Sequence, residues 1–420
     1  TVYRLGYYGG ARARPVMSLS RRSVASSPPL EVDAVTGETV VGVEPSFQFS
    51  VGADWLSGVY LLRIVSNEGV DCHATFTVRD ERIADLVFSQ PVLTYAAYTS
   101  TPEPFGKSFY DGDSGGPETA RGTQRATEVS LDRPYRDSGS GDLFRWDHDL
   151  ITWLEREGYD VTYVTNIDIH QRPDTLLRSR ISVVSGHDEY WTQEMMDAYL
   201  AARDAGVHIA YFGANGAYWR VRLANGRNGR PNRKVVCWKY ADGENHPVPT
   251  VLFKDTATPM QSLWGVDFMD FNDFIAGPYA PIVPTSEAHW FWAGTEIEND
   301  QPLVSAPIMG YEVDRRNFSI DLPPNSEYTL LASSPFEGQE FGRNWAHTTL
   351  YRHTGRAWVF AAGTTSWAWG LMRNEFKHPA LHRATQNLLK RMLADSDRPA
   401  PPAAMPTGSI SSRPVDLSLG

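Results

Sequence analysis

The sequence predicts an α/β protein in which a small β-sandwich precedes a doubly wound, mostly parallel sheet. Residues 1–80 alternate short apolar and polar stretches between Gly, Pro, Ser and Asn, as antiparallel sheets do. From about residue 85 apolar strands alternate with helix-length segments, which is typical of parallel sheets. Polar side chains directly follow two of these strands. Because ligands bind beyond the carboxyl ends of parallel strands, this is where we expect a site.

The N-terminal region, residues 1–82, is predicted to form an Ig-like β-sandwich domain. Its expected strands share alternating apolar residues and are Thr1–Leu5, Ser46–Val51, Gly58–Val65 and Ala74–Val78. Successive side chains of a strand point to opposite faces, so each of these strands can bury one face against a second sheet.

The second predicted domain, residues 83–394, shows the alternation of strands and helices that is typical of a doubly wound sheet. Its expected strands are Val87–Thr94, Asp160–Val164, Ile181–Ser185, Val207–Phe212 and Ala357–Ala361. Its expected helices are Phe144–Glu157, Thr192–Ala205 and Pro379–Leu393. Gly158 and Gly206 follow two of these helices, which agrees with the preference for glycine after a helix C-terminus.

Three segments do not show this alternation of strands and helices. Residues 99–143 are rich in Gly, Ser, Pro and Asp, and we expect a lid there, with a disordered segment as the alternative. Residues 220–345 show no clear period and are predicted to be an irregular extension of the α/β domain. Residues 395–420 are rich in proline and predict a tail or linker.

Composition excludes several classes of partner. The net charge of −11 argues against binding to nucleic acid or to an anionic membrane surface, because both require clustered Lys and Arg. No run approaches the roughly 18 apolar residues of a membrane helix. We therefore expect a soluble protein. Cys72 and Cys237 lie far apart in sequence and predict no disulfide framework. The sequence therefore agrees with either of two compartments, the cytoplasm or the outside of the cell after removal of a leader.

His187 and Glu189 form the most informative pair in the chain, because they directly follow the apolar run Ile181–Ser185. In extended backbone residues i and i+2 point the same way, so both side chains can bind one metal ion while Asp188 faces elsewhere. A further ligand must then come from another segment. The alternative is an ordinary hydrogen-bonded pair beside a core Tyr-Trp.

The next strand, Val207–Phe212, ends in a similar way, in Gly-Ala-Asn215-Gly. Glycines on both sides of Asn215 allow the backbone to approach a ligand closely. A nucleophilic hydrolase would place Ser or Cys at such a strand-to-helix turn, whereas the turn after Ser185 carries Gly-His-Asp-Glu. Catalysis at this edge is therefore predicted to use a Lewis acid or a general base.

Several motifs in order resemble the C-terminal catalytic region of the N,N-dimethylformamidase large (beta) subunit family. The motifs are Ser-Gly-His187-Asp-Glu189-Tyr-Trp, Phe-Gly-Ala-Asn215-Gly-Ala-Tyr-Trp-Arg, Gly310-Tyr-Glu312-Val-Asp314 and Trp358-Val-Phe-Ala-Ala-Gly-Thr-Thr-Ser-Trp367. Tyr3-Arg-Leu-Gly-Tyr-Tyr-Gly-Gly and Trp55-Leu-Ser-Gly-Val-Tyr60 are similar to the sandwich that precedes it. The resemblance covers roughly residues 1–393 and implies a fold similar to class I glutamine amidotransferases.

The resemblance also implies a mononuclear ferric centre, Fe(III), held by a tyrosine, a histidine and a glutamate, which hydrolyses formamides. His187 and Glu189 match two of the ligands. The tyrosine falls in Thr94-Tyr95-Ala-Ala-Tyr98, where we choose Tyr98 and keep Tyr95 as the alternative. Asn215 and Glu312 match polar positions beside the metal. They are the candidate oxyanion donor and the candidate general base, respectively.

Three functions follow from these residues and the resemblance. The first is hydrolysis of a small amide or formamide, in which iron polarises the carbonyl of the substrate and an activated water attacks it. The second is another metalloenzyme activity on the same scaffold, with a carbohydrate or peptide amide as substrate. The third is a non-catalytic protein that binds a glycan. The resemblance further implies a small partner subunit, with a homo-oligomer as the alternative.

Overall fold

The computed structural model describes residues 1–21, 23, 30–41, 47–241, 244–273 and 279–401. Within these residues the protein is a mixed α/β structure with several sheets, as predicted. The predicted tail lies outside the described residues from residue 402 onward. No helix in the described ranges combines the length and apolar character that crossing a bilayer requires.

Six strands form the N-terminal region. They are β1 (Val2–Leu5), β2 (Ala13–Met17), β3 (Leu30–Val32), β4 (Thr39–Val41), β5 (Gly58–Val65) and β6 (Asp71–Val78). Strands β2, β1, β5 and β6 form an antiparallel sheet in that order, and β3 pairs with β4 as a separate hairpin. The strand expected at Ser46–Val51 is absent from residues 47–51, and Ser46 lies outside the described residues. Tyr3, Leu5 and Val59 pack into the core beneath the larger sheet that follows.

The rest of the chain contains the remaining strands and all seven α-helices of the described residues. The strands are β7 (Ala84–Gln90), β8 (Glu128–Ser130), β9 (Val161–Thr165), β10 (Ser179–Gly186), β11 (Tyr190–Thr192), β12 (His208–Gly213), β13 (Trp219–Ala224), β14 (Lys234–Val236), β15 (Val251–Leu252), β16 (Asp267–Phe271), β17 (Ala280–Pro281), β18 (Pro307–Met309), β19 (Glu312–Arg315), β20 (Ser326–Gly338), β21 (Gly342–His353) and β22 (Ala357–Ala361). The helices are α1 (Val92–Ala97), α2 (His148–Arg156), α3 (Asn166–Gln171), α4 (Gln193–Asp204), α5 (Gln261–Trp264), α6 (Trp369–Met372) and α7 (Pro379–Asp395).

The central sheet has seven strands in the order β20, β21, β22, β12, β10, β7, β9. The last five are parallel, as the alternation of strands and helices predicted. Alternate side chains of β10 and β12 pack on opposite faces of the sheet, in two different cores. One core includes side chains of α2 and α7, and the other includes side chains of α4. Burial on both faces explains why these strands are almost continuously apolar in sequence.

The hairpin of β20 and β21 corrects the prediction of an irregular extension over residues 220–345. Its strands, of 13 and 12 residues, continue the central sheet at one edge in antiparallel pairing. The register shifts between Leu330 and Ala332. Such a bulge breaks the period of two, so sequence alternation could not reveal this strand.

The first strand of the parallel sheet also ends earlier than expected. We predicted a strand over Val87–Thr94, but β7 ends at Gln90, and Pro91 precedes helix α1. Proline has no N–H to donate to a sheet and is well placed at the start of a helix. The consequence is that Tyr95 and Tyr98 lie on one helical turn and not along a strand.

The segment over residues 99–143, the predicted lid, is ordered over much of its length. Strand β8 pairs with β14 at the edge of a smaller sheet of β11, β13, β14 and β8. The buried guanidinium of Arg133 donates to the backbone carbonyls of Thr99 at 2.6 Å and of Lys107 at 2.9 Å.

Candidate metal centre

The site lies where β10 and β12 end. These strands pair in parallel, with Gly186 opposite Gly213, so the segments that follow them leave the sheet side by side. The backbone N–H of Ala217 donates to the carbonyl of Asp188 at 2.8 Å, and that of Tyr218 donates to Glu189 at 2.9 Å. These bonds join the two predicted polar segments into one structure.

His187 and Glu189 point to the same side, as expected for residues i and i+2. Their side chains are almost fully buried, and His187 Nε2 lies 3.4 Å from Glu189 Oε2. Asp188 faces elsewhere, with its Oδ1 accepting a hydrogen bond from Asn166 at 3.4 Å. The backbone N–H of Glu189 donates to the Thr94 hydroxyl at 3.0 Å, which fastens this loop to helix α1.

Helix α1 brings Tyr98, and not Tyr95, to this pair. The Tyr98 hydroxyl donates to Glu189 Oε2 at 2.7 Å. The Tyr95 hydroxyl donates instead to the buried carboxyl of Asp147. The two hydroxyls thus reach different carboxyl groups, and this separates the roles of the two tyrosines.

Glu312, at the start of β19, reaches the site from the region that showed no period in sequence. Its Oε2 lies 2.8 Å from His187 Nε2. Neither of these two buried atoms has a hydrogen bond of acceptable geometry within the described part of the chain. The imidazole of His187 is therefore flanked by the carboxylates of Glu189 and Glu312.

Gly310 shows how the segment before Glu312 is held. Its carbonyl accepts hydrogen bonds from the hydroxyls of Thr364 at 2.9 Å, Thr365 at 3.0 Å and Ser366 at 2.7 Å. The backbone N–H of Thr365 also donates to the carbonyl of Glu312 at 3.3 Å. The Gly-Thr-Thr-Ser motif after β22 thus supports the candidate base and does not enter the site itself.

Asn215 lies in the segment after β12, between residues bonded to Gly186 and Asp188. Its backbone φ is +55°, and its N–H donates to Asp314 Oδ1 at 2.8 Å. Its side chain is buried, and its Oδ1 has no hydrogen-bond partner among the described residues. The bond to Asp314 connects Asn215 to the strand that carries Glu312.

Tyr110, in the predicted lid, is a site residue that sequence reasoning missed. Its hydroxyl lies 2.7 Å from the hydroxyl of Tyr98 and 2.9 and 3.0 Å from the two carboxylate oxygens of Glu189. The Tyr190 hydroxyl donates to it at 2.7 Å. An aromatic pair, Phe109-Tyr110, within a Gly- and Ser-rich segment was the one available signal.

Lys239 was also missed. It is 3% exposed, and its Nζ lies 3.6 Å from the ring centroid of Tyr110. The rings of Trp219 and Tyr190 are 5.1 and 5.3 Å away. Burial lowers the pKa of Lys239, while the charge of Glu189 acts in the opposite direction. The lysine places a cation behind the phenol that contacts Glu189.

The protonation states of the cluster follow from burial and charge. Burial by itself lowers the pKa of His187, but the charge of Glu312 and the close approach of both carboxylates raise it to about 10. Burial by itself raises the pKa of Glu189, but the contact with His187 and the charge of Lys239 outweigh it and lower the pKa. Burial and the charge of Glu189 raise the pKa values of Tyr98 and Tyr110 well above their usual range. These shifts favour a protonated imidazole and neutral phenols beside the carboxylate of Glu189.

No group of three or more His, Cys, Asp and Glu side chains in the described ranges is arranged as a metal site. The cluster here is of a different kind, since two of its oxygen donors are phenols. A cavity of about 290 Å³ is lined in part by Tyr218, Phe268, Arg315 and Phe341, and it contains none of the predicted site residues. A larger cavity of about 1120 Å³ at the start of α7 contains none of the predicted site residues.

The fold and this cluster define an α/β protein with tyrosine, histidine and glutamate collected at the ends of its parallel strands. The family model described as N,N-dimethylformamidase beta subunit-like, C-terminal, matches residues 1–380. The chain belongs to this family, as its motifs predicted. The beta subunits of N,N-dimethylformamidase from Paracoccus aminophilus and from an Alcaligenes species are each 28% identical to it over 335 residues. The match covers 71% of this chain and 43% of each relative, so the chain spans less than half the length of these relatives.

Proposed function

We propose that this chain is the catalytic part of a metal-dependent hydrolase that cleaves the C–N bond of a small linear amide or formamide. In this proposal Tyr98, His187 and Glu189 bind a single ferric ion. The observation that carries it is the convergence of two partly buried phenols and a buried imidazole on one carboxylate, Glu189. The names of the two relatives support the amide as substrate class.

The donor set fits this ion. Phenolate and carboxylate oxygens with one imidazole are hard ligands that favour a ferric ion over zinc. His187 Nε2 and Glu312 Oε2 are buried at 2.8 Å without a good hydrogen bond, as expected for atoms arranged around a cation. Tyr110 supplies a second phenol oxygen within 3.0 Å of Glu189, and we propose it as an additional ligand.

When bound, the ion would polarise the amide carbonyl and lower the pKa of a water molecule. Residues of this chain then carry out the proton transfer and stabilise the oxyanion. Glu312, whose Oε2 lies 2.8 Å from His187 Nε2, accepts a proton from the attacking water. The buried side-chain amide of Asn215 donates a hydrogen bond to the oxyanion that develops on the substrate. Burial of His187, Glu189 and Glu312 strengthens these interactions by excluding bulk water.

A ligand role and a proton-carrier role for His187 predict different properties of the H187N variant. His187 lies closer to Glu312, at 2.8 Å, than to Glu189, at 3.4 Å. A ligand role predicts that H187N loses iron together with turnover. A proton-carrier role predicts that H187N keeps its iron and loses turnover alone. Iron content per chain, measured on the purified variant, separates the two.

The experiment for the function itself starts from purified protein loaded with iron. We expect close to one iron per chain and a visible phenolate-to-iron absorption band. Turnover is then measured on formamides with increasing substitution at nitrogen, on other linear amides, and on N-acetylated sugars and peptides. Turnover of formamides supports the proposal, and turnover of sugars or peptides alone would replace it. Protein that binds no iron and turns over no amide would contradict it.

Two structural features remain part of the proposal. We infer a class I glutamine amidotransferase-like architecture for the sheet and an Ig-like sandwich before it. The five parallel strands with a site at their carboxyl ends support the first inference.

We also propose that the protein works with a second subunit, since both relatives are named as beta subunits. The molecular mass in solution, alone and after co-expression with neighbouring genes, tests this assembly.

A further inference from the structure

Residues 107–125, which we call the cap, form a compact unit within the predicted lid. The ammonium of Lys107 donates to the carbonyls of Gly115 and Gln124, both at 2.9 Å. The guanidinium of Arg125 pairs with Asp111 at 2.6 Å. These bonds connect the beginning, middle and end of the cap.

The cap carries Tyr110 to Glu189. The Ser114 hydroxyl donates to the carbonyl of Tyr110 at 2.6 Å, which fixes this residue within the cap. On one side, the hairpin of β3 and β4 supports the cap, because the N–H of Ala120 donates to the carbonyl of Ala34 at 2.6 Å. The N–H of Phe109 donates to the carbonyl of Ala97 at 2.9 Å, so the cap is also bonded to helix α1 directly before Tyr110. The bond from Ser114 links Tyr110 to the rest of the cap.

On the other side of the cap, two of its arginines lie against the rings that flank Lys239. The guanidinium carbon of Arg121 is 3.8 Å from the ring centroid of Trp238, and that of Arg125 is 5.7 Å from the ring of Tyr240. The backbone N–H of Trp238 donates to the Thr250 hydroxyl at 2.7 Å, which holds the tryptophan in place. Trp238 is half-buried and Arg121 is exposed.

We propose that the stacking of Arg121 on Trp238 is a latch that keeps the cap closed, and that both are positioning residues acting through Tyr110. The inference rests on the proposed function only for the role of Tyr110 at the metal. An exposed cation–π pair is weak enough to open reversibly, whereas the bonds inside the cap involve a buried lysine. Release of the latch would loosen the far side of the cap and so weaken the hold of the Ser114 bond on Tyr110 at Glu189.

Hydrogen exchange of the cap amides in ion-free protein tests the latch without any reference to catalysis. We expect W238L and R121M to speed exchange over residues 107–125 about threefold to fivefold, since exposed cation–π pairs are weak. The amides of β10 and β12 should keep their rates. W238F, which retains a ring, should restore most of the protection. W345L and R343M are matched controls, because both residues are exposed on the distant strand β21.

A second measurement tests positioning. In iron-loaded protein the phenolate-to-iron band should lose intensity in W238L and regain it in W238F, while the urea midpoint stays within experimental error. The double variant R121M/W238L should exchange no faster than the single variants, because each removes the same contact. Unchanged cap exchange in both single variants, or additive effects in the double variant, would overturn the latch. The proposed function would survive that result, because iron content and amide turnover are measured separately.

Discussion

Tyr95 and Tyr98 give the sharpest test of the site, because Tyr95 lies in α1, Tyr98 directly follows its last residue, and they contact different carboxyl groups. Y98F removes the hydroxyl that donates to Glu189 at 2.7 Å. Y95F removes the hydroxyl that donates to Asp147, a carboxyl with no exposed surface. The first change is expected to affect iron binding and the second is expected to affect stability. Each variant is the control for the other.

The magnitudes follow from what each change leaves behind. Burial raises the pKa of Asp147 well above its usual range, so Y95F leaves a neutral, buried carboxyl without this partner. That loss costs about 1–3 kcal/mol in the free energy of unfolding. In Y98F the Tyr110 hydroxyl still lies 2.9 Å from Glu189, so the stability cost is smaller, about 0.5–1.5 kcal/mol. Iron affinity, by contrast, should fall at least tenfold to 100-fold, the range seen when even an outer partner of a metal site is lost.

Two measurements on each variant decide the question. Iron per chain is determined by elemental analysis after dialysis against a fixed free-iron concentration, and stability is determined by urea unfolding of ion-free protein. We expect Y98F to lose iron and Y95F to lose stability. Y98F with full iron and full turnover would refute the ligand assignment. Y95F with lost iron and unchanged stability would show that the two tyrosines have the opposite roles.

Three further predictions concern the base, the strand end and acid pH. E312Q should keep its iron and lower kcat about 10²-fold to 10⁴-fold, as loss of a general base does, and unchanged kcat would remove Glu312 from the mechanism. G186A should unfold in less urea than wild type, because residue 186 has a φ of +52° and an added Cβ would lie 2.3 Å from the Cβ of Trp146. Burial lowers the pKa of His208 to about 4, so its contribution to stability is complete above about pH 6.5 and is lost as the pH falls toward 4. The loss, up to about 3 kcal/mol, should be smaller in H208Q and unchanged in a control variant of exposed His246.

Much of the central sheet could be predicted from sequence. Strand β22 has the bounds that its apolar run predicted, and β10 extends the expected Ile181–Ser185 by only a few residues. The helix after β11 begins after Thr192, whose hydroxyl accepts from the N–H of Met195 as an N-cap. These elements are buried or amphipathic over their whole length, so local periodicity reports them directly.

The hairpin of β20 and β21 and the Tyr110 loop could not be predicted in this way. The hairpin alternates polar and apolar residues through a bulge, which disrupts its period. Tyr110 lies in a segment with no period at all, and its place at Glu189 depends on bonds such as Lys107 to Gly115. Contacts of this kind join residues whose spacing in sequence carries no regular signal.

By itself, the sequence determined that His187 and Glu189 share one side of the chain at the end of a buried strand. That result needs only the geometry of extended backbone, in which alternate side chains point the same way. The tertiary structure decided which tyrosine joins them, and it brought Tyr110 and Glu312 from distant segments. Those choices depend on how helix α1, the lid and strand β19 pack around the sheet. Packing distances between elements are set by the whole fold, and no local pattern along the chain encodes them.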